Sequence, residues 1–182
     1  MLKISENPPI LPPEVKTVSE LTGQWWVAHT KSRFEKAFAW DLLRRGIGYF
    51  LPLVERVRVS GGRKRRVLAP LFPSYVFCCG SEEDRYAAVK TGRICKAIHV
   101  SDQDTLVKEL VTIEKALNGE AELNLHPHAA VGRRCRIAAG PFKGLEGVVV
   151  KHRKLARLVL EVSILGQGAS MEIDADLLEP ID

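Results

Sequence analysis

Side chains able to do bond chemistry are present in this chain but nowhere assembled. The serines, the carboxylates and the five histidines are scattered, and no spacing links a nucleophile to a base. His126 and His128 flank Pro127, the beginning of a metal site, yet nothing nearby completes a ligand set. Cys78, Cys79, Cys95 and Cys135 form no C-x-x-C pair, and the adjacent two point to opposite faces of a strand. Buried free thiols in a reducing cytoplasm are therefore expected. The glycines between Gly140 and Gly147 lie in a strand-turn-strand pattern, whereas a phosphate loop needs a following helix. The reading is no catalytic residue, no metal and no cofactor.

What remains is the chemistry of recognition. From Ser74 to Cys79 the chain is β-branched, aromatic or small without one charge, the texture of a buried central strand. Just before it, Pro73 donates no ladder hydrogen bond, which fixes the strand entry and leaves the rings of Phe72 and Tyr75 at a sheet end within a partner's reach. Upstream, Arg63-Lys64-Arg65-Arg66 forms a basic hairpin tip, either a solvated turn or a contact to phosphate. On a helix starting near Ser32, Phe34, Phe38 and Leu42 point one way. Arg33, Lys36, Trp40 and Arg44 share the other side, with Lys31 just before it. Cations beside one indole are what a single-stranded nucleic acid needs: charge for phosphate and a ring for a base. The alternative is that Trp40 packs under the leader or the hairpin. With 182 residues and a formal charge of +5, the chain permits a polyanionic partner without demanding one.

The elements that must position these groups follow from period and punctuation. Residues 1–23, with Pro8, Pro9, Pro12 and Pro13, read as a flexible leader. Gln24 to His29 is a strand, and Ser32 with Glu35 has the form of a capping box opening a helix that stops near Gly46. Tyr49 to Leu53 is a strand, and the alternation from Val54 turns at Ser60-Gly61-Gly62 into a hairpin. A short helix starts at Ser81, an edge strand runs from Ile94 to Val100, and Ser101 caps a third helix ending at Asn118. That order predicts an α+β, ferredoxin-like split βαβ sheet over residues 24–118. Residues 119–130 read as a linker. Residues 131–182, with Leu158, Leu160, Val162 and Ile164 alternating, predict four or five short strands in a small closed or nearly closed barrel. No apolar run is long enough to span a membrane.

Trp25-Trp26-Val27, Leu71-Phe72-Pro73-x-Tyr75 and Gly140-Pro141-Phe142-x-Gly144-x-x-Gly147-Val148 occur in this order. Together they resemble the NusG family of transcription elongation factors, an NGN domain followed by an SH3-like KOW barrel, over roughly Trp25 to Pro180. Within that family, His29-Thr30-Lys31-x-Arg33-x-Glu35 and Pro70-Leu71-Phe72-Pro73 look more like specialised RfaH-type paralogues, which relieve pausing and termination on particular operons.

The resemblance implies that the NGN domain grips the clamp helices of RNA polymerase through Trp25, Phe72, Pro73 and Tyr75. It implies that the side carrying Lys31, Arg33, Lys36, Trp40 and Arg44 faces the non-template DNA strand, and that the hairpin faces the other side of the polymerase cleft, where the alternative to a solvated turn is a contact to polymerase or to upstream DNA phosphate. In the KOW barrel it points to Ile164, Leu165 and Gly166 as a contact for a small-subunit ribosomal protein or for the Rho terminator. Housekeeping members often carry an aromatic where Leu165 stands, which weighs against Rho. The expectation is a cytoplasmic, monomeric antitermination factor. The alternatives are a housekeeping NusG acting with Rho and a ribosome-associated KOW protein that binds RNA.

Overall fold

The computed structural model describes residues 6–126, 132–151 and 156–181. The chain divides into two compact units, Met1–Gln103 and Asp104–Asp182. The division falls some fifteen residues before the expected boundary at Asn118.

In the first unit, β1 (Gln24–Thr30), α1 (Glu35–Arg44), β2 (Gly48–Phe50), β3 (Leu53–Ser60), β4 (Arg63–Pro70), β5 (Tyr75–Gly80), α2 (Glu82–Val89) and β6 (Ile94–His99) follow one another. Four strands form an antiparallel sheet in the order β2-β5-β1-β6, and β3 and β4 form a separate two-stranded ribbon. Leaving out the ribbon, this is the βαββαβ ferredoxin-like topology, as expected. The core packs one face of the sheet against α1: Trp26, Ala28, Val76 and Cys78 meet Phe38, Ala39 and Leu42. Successive strand residues alternate between faces, so Trp25, Val27, Phe77 and Cys79 share the other face, and these too are buried.

Several local expectations change. The strand expected over Tyr49 to Leu53 is broken at Leu51 and Pro52, because a proline cannot donate within a ladder. Helix α1 begins at Glu35 with Phe34 at the N-cap and no side-chain cap, so the Ser32–Glu35 capping box does not form. A capping box does form one helix later, where Ser81 Oγ accepts from the Asp84 N–H and Asp84 accepts from the Ser81 N–H. Phe34 is 38% exposed and leaves the apolar stripe; its ring lies under the Arg93 guanidinium instead.

The described part of the leader, Glu6 to Gly23, is packed on the sheet and α1 and is not a free tail. The Tyr49 hydroxyl donates to the Pro9 carbonyl at 2.9 Å, and the Leu51 N–H donates to Ile10 at 2.9 Å. Val18, in a single 3-10 turn capped by Thr17, is buried. Prolines suit this extended path because they lower the entropy lost on docking.

In the second unit, α3 (Gln103–Asn118) precedes β7 (Asn124–His126), β8 (Arg133–Ile137), β9 (Glu146–Lys151), β10 (Ala156–Val162), β11 (Gln167–Ile173) and β12 (Leu178–Pro180). The strands make one antiparallel sheet in the order β12-β8-β9-β10-β11-β7, the β-rich second module that was expected. Its core holds Leu123, Cys135, Ile137, Leu158, Leu160, Val162 and Met171. Part of the expected linker is in fact a strand: β7 pairs with β11 through Leu125 opposite Ala169. Three residues are too few to show a period in sequence, so only their partner reveals the strand. Helix α3 is tied to this unit at its middle and at its C-terminal end. The Glu109 carboxylate accepts from the Ser163 N–H and hydroxyl, and a Cβ at Gly119 would stand 2.6 Å from the Phe142 ring.

Candidate functional site

The segment Leu71 to Tyr75 is held by a carboxylate that sequence reasoning assigned elsewhere. Glu35, 6% exposed, accepts the Ser74 N–H at 2.6 Å from 39 residues away. That bond holds Ser74 in a left-handed turn (φ 67°), a conformation that serine adopts only when its surroundings impose it. The Ser74 carbonyl in turn accepts the Thr30 N–H at 2.8 Å, locking the strand entry to the end of β1. Gln103 does the same at the other end of β1. Its side-chain amide accepts from the Trp25 N–H at 2.7 Å and donates to the Trp25 and Val100 carbonyls. No periodic signal marks either residue.

The four residues expected to bind polymerase are placed in two classes. Phe72 is 1% exposed and sits edge-on to Phe77 with ring centroids 6.0 Å apart; Trp25 is 3% exposed. Neither ring is within a partner's reach in this structure, contrary to the expectation for Phe72. The reason is the register: Trp25, Val27 and Phe77 fall on one sheet face, and burying that much aromatic surface outweighs leaving it wet. Pro73 is exposed, and Tyr75 is half-buried, stacked on His29 at 5.1 Å. The accessible part of the segment is therefore Pro73, Tyr75 and His29.

The expected cationic stripe is also divided. Lys31, Arg33 and Arg44 are exposed, and Arg33 has φ 65°. Trp40 is half-buried, and its indole N–H donates to the Glu6 carbonyl at 3.3 Å, so its ring lies against the leader and off the solvent-facing stripe. Lys36 donates to the Leu68 carbonyl of β4 at 2.5 Å. Burial, with Arg58 nearby, lowers its pKa. Arg44 pairs with Asp41, which Arg93 also holds at 2.7 Å. Burial works to raise the Asp41 carboxyl, but the hydrogen bonds from Arg93 and Arg44 outweigh it and hold the group below the usual carboxylate range. Arg33, Lys36, Arg58 and Ser74 line a groove of about 350 Å³ between the β1–α1 turn and the root of the ribbon.

Ribbon β3–β4 turns through Gly61 and Gly62, both with positive φ, as a two-residue hairpin of the I′ type requires. The basic run does not act as one tip. Arg63 and Arg65 lie on one face, and Lys64 and Arg66 on the other, where Arg66 stands 3.3 Å from Glu55.

In the second unit, Ile164 and Leu165 belong to a 3-10 turn closed by Gly166 (φ 59°), so Ile164 leaves the strand alternation expected of it. Both side chains are half-buried beside Ser163. Among cysteines, Cys78, Cys79 and Cys135 are buried as expected, while Cys95 is exposed. Burial pushes the Cys79 thiol up to about 11 and Cys78 also upward, so these two thiols are inert. Among the described residues no three metal-ligating side chains come together; His128 lies outside the described residues. No helix among them is long and apolar enough to cross a membrane.

A ferredoxin-like unit joined to a small antiparallel β module, presenting an aromatic corner and an array of cations, defines a two-module binding protein. The family profile described as transcription termination factor NusG matches residues 23–114, half of the chain, and the chain belongs to the NusG family. Members of that family are non-enzymatic transcription elongation and termination factors that interact with RNA polymerase. A solved Thermotoga maritima NusG, studied for its domain interaction, is 20% identical and covers 87% of this chain and 97% of its own, with a TM-score of 0.44. No curated protein sequence matches the chain.

Proposed function

We propose that this protein is an elongation and antitermination factor of the RfaH-like kind, which binds the clamp helices of RNA polymerase through its first unit. The observation that carries the reading is the position of the family match: residues 23–114 include the whole β1–α1–β5 frame that presents Pro73, Tyr75 and His29. An exposed proline beside a pair of stacked rings on rigid strands is a preorganised anchor for a helical partner, since aromatic groups in a desolvated centre dominate most interfaces. Phe72, packed edge-on to Phe77, supports that corner. Binding energy spent on holding the clamp closed around nucleic acid favours elongation, and no bond is made or broken by the factor. Lys31, Arg33, Lys36 and Arg44 lie toward the non-template strand in this reading, with Trp40 retained as packing beneath the leader. Ile164, Leu165 and Gly166 offer a half-exposed turn to a small-subunit ribosomal protein.

Titration of the full chain against its own RNA polymerase, with an isolated clamp-helix hairpin as competitor, tests the reading. The competitor should displace the factor, and Tyr75→Ala should weaken binding while the protein stays folded. Binding that survives both the competitor and the substitution would sink the clamp assignment. In the same assay Trp40→Ala should leave DNA affinity within about threefold and lower stability, because an indole held to a leader carbonyl contributes packing.

A further inference from the structure

The corner at Pro73 and Tyr75 does not end at His29. In the sheet order β2-β5-β1-β6, His29 stands opposite Tyr75 on one side and opposite Lys96 on the other. Residues directly opposed across antiparallel strands share a face, with Cβ atoms about 5 Å apart. One rung therefore runs ring, imidazole, ammonium: Tyr75, His29 and Lys96. The next rung on the same face is Phe77, Val27 and Ile98. Val27 and Phe77 are fully buried, whereas Tyr75 and His29 are half-buried and Lys96 is exposed. The inner rung is core and the outer rung is surface.

Strand β6 is irregular at this position. Its register against β1 shifts between His29 and Thr30: Thr30 pairs with Ile94 and His29 with Lys96, so Cys95 is an extra residue, a β-bulge. The bulge puts Ile94 and Ala97 on the helix side of the sheet, where both pack against the core although they are three apart. It leaves Lys96, the one Lys or Arg of β6, on the face of the stacked rings, and Cys95 exposed. A lysine on an edge strand also discourages pairing with another chain. That accounts for a lysine anywhere along β6 and does not select the rung of Tyr75 and His29. Among the described residues Lys96 makes no ion pair, and the carboxylate that reaches this corner, Glu35, is taken up by the Ser74 N–H.

We propose that Lys96 is a specificity-determining contact of the polymerase corner and pairs with an acidic side chain on the clamp helix that docks there. This assignment rests on the clamp reading and deepens it by naming the chemistry of the partner surface. Two strand spacings, about 10 Å, separate Tyr75 from Lys96 along the rung. A helix rises about 1.5 Å per residue, so one lying across the strands spans that distance in about seven residues. An apolar side chain over Pro73 and Tyr75 and an Asp or Glu two turns along the same helix face then meet the ring and the ammonium together. A helix with a cation or an apolar group at that position leaves the ammonium repelled or unpaired. One charge thus selects between otherwise similar apolar helices.

The test measures binding of the full chain to core RNA polymerase free of nucleic acid, at low and at physiological salt. Lys96→Gln should weaken binding about threefold and Lys96→Glu about tenfold or more at low salt, mainly through slower association and with a smaller salt dependence. Both replace an exposed side chain and should fold. Lys16→Gln removes the same charge from the exposed leader and should change affinity by less than about twofold. Polymerases with single clamp-helix acids changed to Lys are then titrated with the Lys96→Glu chain, and one of them should restore affinity to within about threefold of the parent pair. Lys96→Glu binding as tightly as the parent, while Tyr75→Ala weakens binding and the isolated clamp hairpin still competes, overturns the assignment and leaves the clamp reading standing. Binding that neither the hairpin nor Tyr75→Ala disturbs defeats the clamp reading and this assignment with it. A loss seen only with a nucleic-acid scaffold present would give Lys96 to DNA, and aggregation with normal binding would make it an edge guard; either result also overturns the assignment.

Discussion

The four-stranded sheet and the ribbon are joined by two short segments, Leu51-Pro52 and Leu71 to Ser74, and they spend their side chains in opposite ways. On the sheet, Trp25, Val27, Phe72 and Phe77 are all within 3% of full burial, so aromatic residues that look like contact groups serve as packing. On the ribbon, Val57 and Val59 are mostly exposed and four arginines share a face with no acid. Burial explains the first composition completely. It does not account for the second, whose side chains are mostly in water. The comparison teaches that residue type is a poor guide to a binding surface in this fold, and that face-by-face accounting is a better one.

The sharpest way to break the contrast is Phe72→Ala. Loss of a fully buried ring packed edge-on to Phe77 should cost about 3–5 kcal/mol of folding stability in urea denaturation. A variant as stable as the parent that fails only in polymerase binding would show that Phe72 is a contact after all.

Asp41→Asn comes next, at about 2 kcal/mol, because a nearly buried carboxylate bonded to Arg93 and Arg44 would lose its charge. The pH dependence has a definite sign. A folded-state pKa held below the unfolded value gives stability that is present above the unfolded value and lost as pH falls through the folded one. The gap between parent and variant should be full at neutral pH and close under acid. A gap that widened as pH fell would contradict the assignment.

Tyr75→Ala probes the accessible corner. It should weaken polymerase binding by about 1 kcal/mol or more and leave the unfolding midpoint nearly unchanged, the reverse of the Phe72 pattern. The smallest effect belongs to the ribbon: Val57→Ser with Val59→Ser should shift stability by less than about 0.5 kcal/mol. A loss of several kilocalories there would mean that these valines are covered in solution.

Much of the first unit was legible because its signals are local. Alternation from Val54 to Val59, the Gly61-Gly62 turn and the acids after Ser81 each act on neighbours a few residues away. The same locality produced the errors. Ser32 and Glu35 have the right spacing for a capping box, yet Glu35 found a better partner in the Ser74 N–H, which no window of ten residues contains. Arg63 to Arg66 read as one basic tip because a string has no faces; pairing with Val57, Val59 and Arg58 separates them.

By itself the sequence determined the order of most helices and strands, the hairpin and its turn, and the family, since periodicity and short motifs are properties of neighbours along the chain. Tertiary structure alone decided that Phe72 and Trp25 lie inside and Tyr75 at the edge. It also decided that the leader docks on Tyr49 and Leu51, that Trp40 lies under it, and that Asn124–His126 is a strand. Each of these depends on a surface supplied from elsewhere in the chain, and burial is a property of that surface as much as of the residue that meets it.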